Sequence, residues 1–85
     1  MHNILIIGAN RGLGLEFAKQ YSDENHNVFA TTRNKSESKA LNAISKIKVF
    51  ELDLNSDESL DNFVQQISSQ KIDILIHNAG IFRDE

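Results

Sequence analysis

The 85-residue chain carries nine basic and twelve acidic side chains, a net charge of −3, 40% hydrophobic residues and 25% charged ones. It allows one domain with a small core, because a chain this short buries only about 60–65% of the surface its unfolded form exposes, yet it is too apolar for a disordered segment. The mild acidity gives no electrostatic reason to expect nucleic acid, the longest apolar run (Ile4 to Ile7) is far short of the roughly 20 residues that cross a bilayer, and no secretory leader or cysteine is visible, which fits a cytoplasmic protein without disulfides, thiolate zinc or a cysteine nucleophile.

The apolar run Asn3–Ile7 stops at glycine and predicts a strand covered on both faces, as in a parallel sheet. From Gly12 the period becomes helical: Gly14, Phe17, Ala18 and Tyr21 share one face, and Asn25 is a plausible left-handed stop. Val28–Thr32 is β-branched and aromatic, a second strand. Ala40, Leu41 and Ile44 make a short amphipathic helix that Asn34 and Glu37 could cap. Ile47–Leu52 reads as a third strand with two phases of apolar residues, Ile47 and Val49 against Phe50 and Leu52. Leu60, Phe63, Val64 and Ile67 form the cleanest helical stripe, with Ser56 as N-cap and Asp57 and Glu58 where the helix dipole favours anions. Ile72–Ile76 is a fourth buried strand.

Strands alternating with helices imply right-handed crossovers and a parallel sheet with helices on both faces. The pattern predicts an α/β, Rossmann-like, partial doubly wound sheet of four strands in the order 3-2-1-4 with three helices.

Three of the four glycines, Gly8, Gly12 and Gly14, fall within seven residues, between the first strand and the first helix. A phosphate-binding turn needs that context. The first glycine permits the tight turn, the second lets backbone approach a pyrophosphate, and the third allows close helix packing; free N–H groups and the helix dipole then face the anion. The spacing is GxxxGxG rather than GxGxxG. The alternative is a glycine-rich turn that only connects strand to helix.

This loop, Gly8-Ala9-Asn10-Arg11-Gly12-Leu13-Gly14, resembles the TGxxxGxG cofactor motif of the short-chain dehydrogenase/reductase family, with Ile7 where threonine is usual. His77-Asn78-Ala79-Gly80 is similar to that family's NNAG segment, with His77 for the first asparagine. Asp53 followed by Leu54 looks like the family's Asp-Val or Asp-Leu pair, whose carboxylate and next backbone N–H touch the adenine; an Asp that only caps the turn is the other reading. The resemblance implies an oxidoreductase that passes hydride between a nicotinamide and a carbonyl or alcohol carbon of a small molecule. Cofactor contact is then expected at Gly8, Asn10, Arg11, Gly12, Leu13, Gly14, Arg33, Asp53, Leu54, Asn78, Ala79 and Gly80.

NADP is expected over NAD. A ribose 2′-hydroxyl is usually held by an acid at the end of strand two and a 2′-phosphate by arginine; here that strand runs into Arg33 and no acid is present. Arg11 sits where NADP-preferring relatives often carry a basic residue. In the resembled family, catalysis uses a serine, a YxxxK pair and often an asparagine, all beyond the fourth strand. The single tyrosine, Tyr21, has Asn25 rather than lysine four residues on. Residues 1–85 are therefore expected to be the dinucleotide-binding half of a longer enzyme, inactive without its catalytic half, the alternative being a non-catalytic nucleotide-binding or regulatory module. No histidine or carboxylate cluster suggests a metal. Ile72, Ile74, Leu75 and Ile76 would leave an apolar sheet edge, which implies a marginally stable chain or a dimer.

Overall fold

The computed structural model describes residues 1–10 and 12–78. Four strands, β1 (Asn3–Ile7), β2 (Asn27–Thr32), β3 (Ile47–Glu51) and β4 (Ile74–His77), form one sheet in the order β3-β2-β1-β4. Every pairing is parallel, with Ile4 opposite both Val28 and Ile74. The connections are helices α1 (Gly12–Asp23), α2 (Lys39–Asn42) and α3 (Asp57–Ile67). The strand order and helix count agree with the pattern of the sequence.

Alternation along each strand sorts the core into two clusters. Ile4, Ile6, Val28 and Ala30 point to the side of α1 and α2, where they meet Ala18 and Leu41, with Ile47 and Val49 packed against them. Leu5, Phe29 and Leu52 point to the other side and meet Phe63 of α3, joined by Phe50. The two phases read in the third strand are thus its two covered faces. Both faces are covered over β1 and β2, whereas β4, expected to be buried, is largely exposed because no helix among the described residues follows it.

The ends of the elements have local causes. Asn25 takes a left-handed φ of 66° just after α1, and His26 N–H returns to the Tyr21 carbonyl. Ser56 Oγ accepts from Ser59 N–H at 3.2 Å to cap α3, with Asp57 and Glu58 in its first turn. The short second helix starts differently from the expectation: Ser38, not Asn34, stands at its N-cap position, and the Glu37 side chain lies outside what is described. Residues Lys35–Glu37 make a separate 3-10 turn, the Asn34 side chain accepts from Ser36 Oγ, and α2 opens after Ser38. The fourth strand begins at Ile74 rather than Ile72. Asp73 closes the start of the ladder, its carboxylate accepting Asn3 N–H at 2.8 Å and its own N–H donating to the Asn3 carbonyl. Ile72 packs under α3 from the preceding loop.

The stripe on α3 is only partly covered. Phe63 is buried, in edge contact with Phe50 at 5.8 Å between ring centroids, whereas Leu60 is 39% and Val64 51% exposed. Leu75 lies beside Leu5 in the register, on the α3 side of the sheet, and is 59% exposed. The helix sits toward β3 and leaves the β4 side of this face open. No helix among the described residues is long and apolar enough to cross a membrane.

An apolar flank beside a strand edge invites association. The 85-residue chain alone self-associates with rising concentration, and Val64→Lys together with Leu75→Lys reduces this without lowering the melting temperature by more than about 3 °C, as for exposed positions. Sedimentation velocity and thermal melts check it; a wild-type chain that stays monomeric contradicts it.

Candidate functional site

The segments that the sequence singles out converge at the carboxyl ends of the four parallel strands. The glycine loop follows β1, Arg33 follows β2, Asp53 follows β3, and Asn78 follows β4. Connections from β1 leave to one side and those into β4 arrive from the other, so β1 and β4 flank the crevice where ligands of open α/β sheets bind. Arg11, Ala79 and Gly80 lie outside the described residues.

Three glycines perform three different tasks. Gly8 has φ 84°, a left-handed turn off β1. Gly12 has φ 62° at the start of α1, and a Cβ added there would meet none of the described residues within 4 Å. Backbone geometry, rather than any described neighbour, restricts that position, and none of the described residues fills the space over it. Gly14 is buried, and a Cβ there would run into the Gly8 carbonyl oxygen and come within 2.7 Å of Asn78 Nδ2. Asn78 Nδ2 itself donates to the Gly8 carbonyl at 3.3 Å, and Asn78 N–H donates to the Ile7 carbonyl at 2.8 Å. The third glycine therefore does more than bring a helix onto a sheet: it is where loop, helix and the residue after β4 close on one another.

Two amides of the loop are already engaged. Gly8 N–H donates to Thr31 Oγ1 at 3.0 Å, and Ala9 N–H to the Thr31 carbonyl at 2.8 Å. Thr31 is 1% exposed. Ile7, where the resembled motif has threonine, offers no hydroxyl, and Thr31 at the end of the neighbouring strand holds the loop with its own. The residue was missed in the sequence; the signal available was a hydroxyl side chain at the end of β2 beside a motif that lacks one. Gly8 thus contributes its conformation and its carbonyl, while anion contact falls to later amides. The first N–H groups of α1, those of Gly12, Leu13 and Gly14, have no acceptor within the helix. With no acidic side chain in that first turn, the positive end of the dipole is not offset from within the helix.

The rim is made of exposed groups. Asn10 and the Leu13 side chain, 67% exposed, stand at the loop, and Leu54, 48% exposed, follows β3. Arg33 Nε lies 3.9 Å from Asp53 Oδ1, a long and solvated ion pair with the Arg33 side chain 75% exposed. Asp53 also builds the turn into α3: Oδ1 accepts Asn55 N–H at 2.9 Å and Asp53 N–H donates to Ser59 Oγ at 2.9 Å. The turn-capping reading of Asp53 is present in full, and the Leu54 N–H beside it has no protein acceptor among the described residues.

Other candidates lie elsewhere. Tyr21 is half-buried, packed against the α1-side core and stacked with Phe17 at 6.1 Å. His26 accepts His2 N–H at Nδ1 and stacks on the His2 ring, at the opposite end of the strands from the glycine loop. His77 ends β4 opposite Ile7 and is exposed.

Comparison with known proteins agrees with this arrangement. The sequence pattern of the short chain dehydrogenases matches residues 2–85. A short-chain dehydrogenase of Talaromyces islandicus is 38% identical over 85 residues, covering 95% of this chain and 30% of its own length. A carbonyl reductase from Pseudomonas aeruginosa, solved in complex with NADP, superposes with a TM-score of 0.84 at 35% identity, over 95% of this chain and 39% of that one. A short-chain dehydrogenase/reductase from Burkholderia multivorans with bound NADP gives 0.83 at 28% identity, over 93% and 36%. The chain thus spans 30–39% of the length of these three relatives.

Removing the Thr31 hydroxyl strands a part-buried amide, which costs about 1–3 kcal/mol. Thr31→Val lowers the unfolding free energy by that amount in urea titrations, and Thr31→Ser restores most of it. A Thr31→Val protein as stable as wild type contradicts the assignment.

Proposed function

The chain belongs to the short-chain dehydrogenase/reductase family, and from that premise we propose that it is the dinucleotide-binding half of a longer NADP-dependent oxidoreductase acting on a small carbonyl or alcohol. The bound nicotinamide supplies or accepts the hydride. This chain's residues bind and orient. The observation that carries the reading is the space over Gly12 that no described residue fills, next to the first amides of α1, which have no acceptor within the helix. A diphosphate fits there because backbone can approach it where no Cβ intervenes, and the N–H groups of Leu13 and Gly14 point their dipoles at it.

The remaining roles follow from position. Arg33, free to reach from the end of β2, pairs with a 2′-phosphate, and Arg11 adds positive charge from the loop. Asp53 and the Leu54 N–H take the adenine edge, with the exposed apolar bodies of Leu13 and Leu54 available to cover ring faces. Asn78, with Ala79 and Gly80 after it, borders the cofactor on the β4 side. The two relatives solved with NADP support the choice of dinucleotide. Proton transfer to the substrate oxygen is assigned to residues outside this segment, since Tyr21 is packed against the core away from the crevice.

One titration series tests the reading. NADPH binds more tightly than NADH by about tenfold or more, the worth of one charge-assisted pair with phosphate. Arg33→Asp removes that preference, and the ligand-induced rise in melting temperature with NADPH falls with it. Equal affinity for the two cofactors in the wild-type protein, or an Arg33→Asp variant with its preference intact, overturns the reading.

A further inference from the structure

Ser38 stands at the N-cap position of α2, yet its side chain makes no capping hydrogen bond. It is 4% exposed, too deep to be a solvated surface hydroxyl. Its oxygen is drawn in the opposite direction. Ser38 Oγ donates to the Asn34 carbonyl at 2.8 Å, and it lies 2.6 Å from Thr32 Oγ1, itself 1% exposed. A hydroxyl has one proton to give. Since that of Ser38 goes to Asn34, Thr32 is the donor in the shorter contact.

The two groups tied to this one buried oxygen are the residues on either side of Arg33. Thr32 is the last residue of β2, fixed further by its carbonyl, which accepts Leu52 N–H at 2.8 Å. Asn34 opens the 3-10 turn, which is held on its far side by Glu51, whose carboxylate accepts Lys35 N–H at 3.1 Å, and by Asn42, whose side chain donates to the Lys35 carbonyl at 2.8 Å. The Arg33 side chain is exposed and, among the described residues, held only by the long contact with Asp53. Its direction is therefore set by its backbone, and that backbone is clamped at both ends by Ser38.

We propose that Ser38 is a positioning residue for cofactor selection: through Thr32 and the Asn34 carbonyl it aims Arg33 at the 2′-phosphate of the adenosine half of the dinucleotide. This rests on the assignment of Arg33 to that phosphate. Ser38 touches no part of the ligand. Without the clamp Arg33 keeps its charge but samples more directions, so the loss falls on ligands that carry the 2′-phosphate and spares those that lack it.

The test uses adenosine 2′,5′-bisphosphate and adenosine 5′-monophosphate as probes, titrated calorimetrically into the full chain, with the ratio of their dissociation constants as readout. Ser38→Ala lowers the preference for the bisphosphate roughly fivefold, the net worth of about one hydrogen bond, and leaves monophosphate binding unchanged. Thr32→Val, of nearly the same shape, removes only the donor to Ser38 and produces a smaller drop in the same direction, which keeps the test available should Ser38→Ala not fold. Arg33→Ala abolishes the preference. If Arg33→Ala changes nothing, the phosphate assignment fails and the positioning role with it. If Arg33→Ala abolishes the preference while Ser38→Ala and Thr32→Val keep the wild-type ratio, or weaken both probes equally, the hydroxyl is merely structural and the proposal alone is overturned.

Discussion

The absence of a side chain at Gly14 is the constraint on which the rest of the site depends. A single carbon added there would occupy the space of the Gly8 carbonyl and the Asn78 amide. Because that carbon is missing, the first helix can begin directly over the end of β1, the loop can fold back in a left-handed turn at Gly8, and the residue after β4 can donate into the same carbonyl. Without this closure, the open end of α1 would not stand over the crevice between β1 and β4, and its unpaired amides would face bulk water instead of a binding site.

Around that point the molecule separates holding from binding. Thr31 takes the amides of Gly8 and Ala9 and fixes the base of the loop, leaving the first amides of α1 without an acceptor within the helix. Ser38 and Thr32 do the same for the chain around Arg33 with buried hydroxyls. Gly12, Leu13 and Arg33 are exposed, whereas Thr31, Thr32 and Ser38, which hold the backbone beneath them, are nearly fully buried. Such a division keeps the contacts preorganised, so little ordering remains to oppose binding.

Much of this was legible in the sequence because the signals were local. Apolar runs marked the strands, covered on both faces in β1 and β2 but largely exposed in β4, and the glycine spacing between β1 and α1 marked the loop. The out-of-phase Val49 and Phe50 pattern was legible as a strand and became intelligible as two covered faces once α2 and α3 were placed. What could not be read depended on contacts between distant segments. Thr31 reaches Gly8 across 23 positions of sequence, and its hydroxyl signals the contact only once β2 is placed beside a loop that lacks one. The start of β4 depended on the Asp73 carboxylate meeting Asn3 from 70 positions away. The capping expected of Asn34 failed for a local reason: a 3-10 turn intervened and the Asn34 side chain found a nearer partner in Ser36. The stripe on α3 was periodic as expected, but periodicity says which face is apolar, not how far the sheet beneath extends to cover it.

The central claim is that a dinucleotide's diphosphate lies on the first turn of α1. Amide-resolved nuclear magnetic resonance of the labelled chain during titration with NADP tests it most directly. The account predicts saturable shifts that are largest at the Gly12, Leu13 and Gly14 amides, with smaller ones at Gly8 and Ala9, whose N–H groups already have partners in Thr31. Saturable shifts confined to the other end of the strands, around His2, His26 and Lys46, with the α1 amides unmoved, would contradict it.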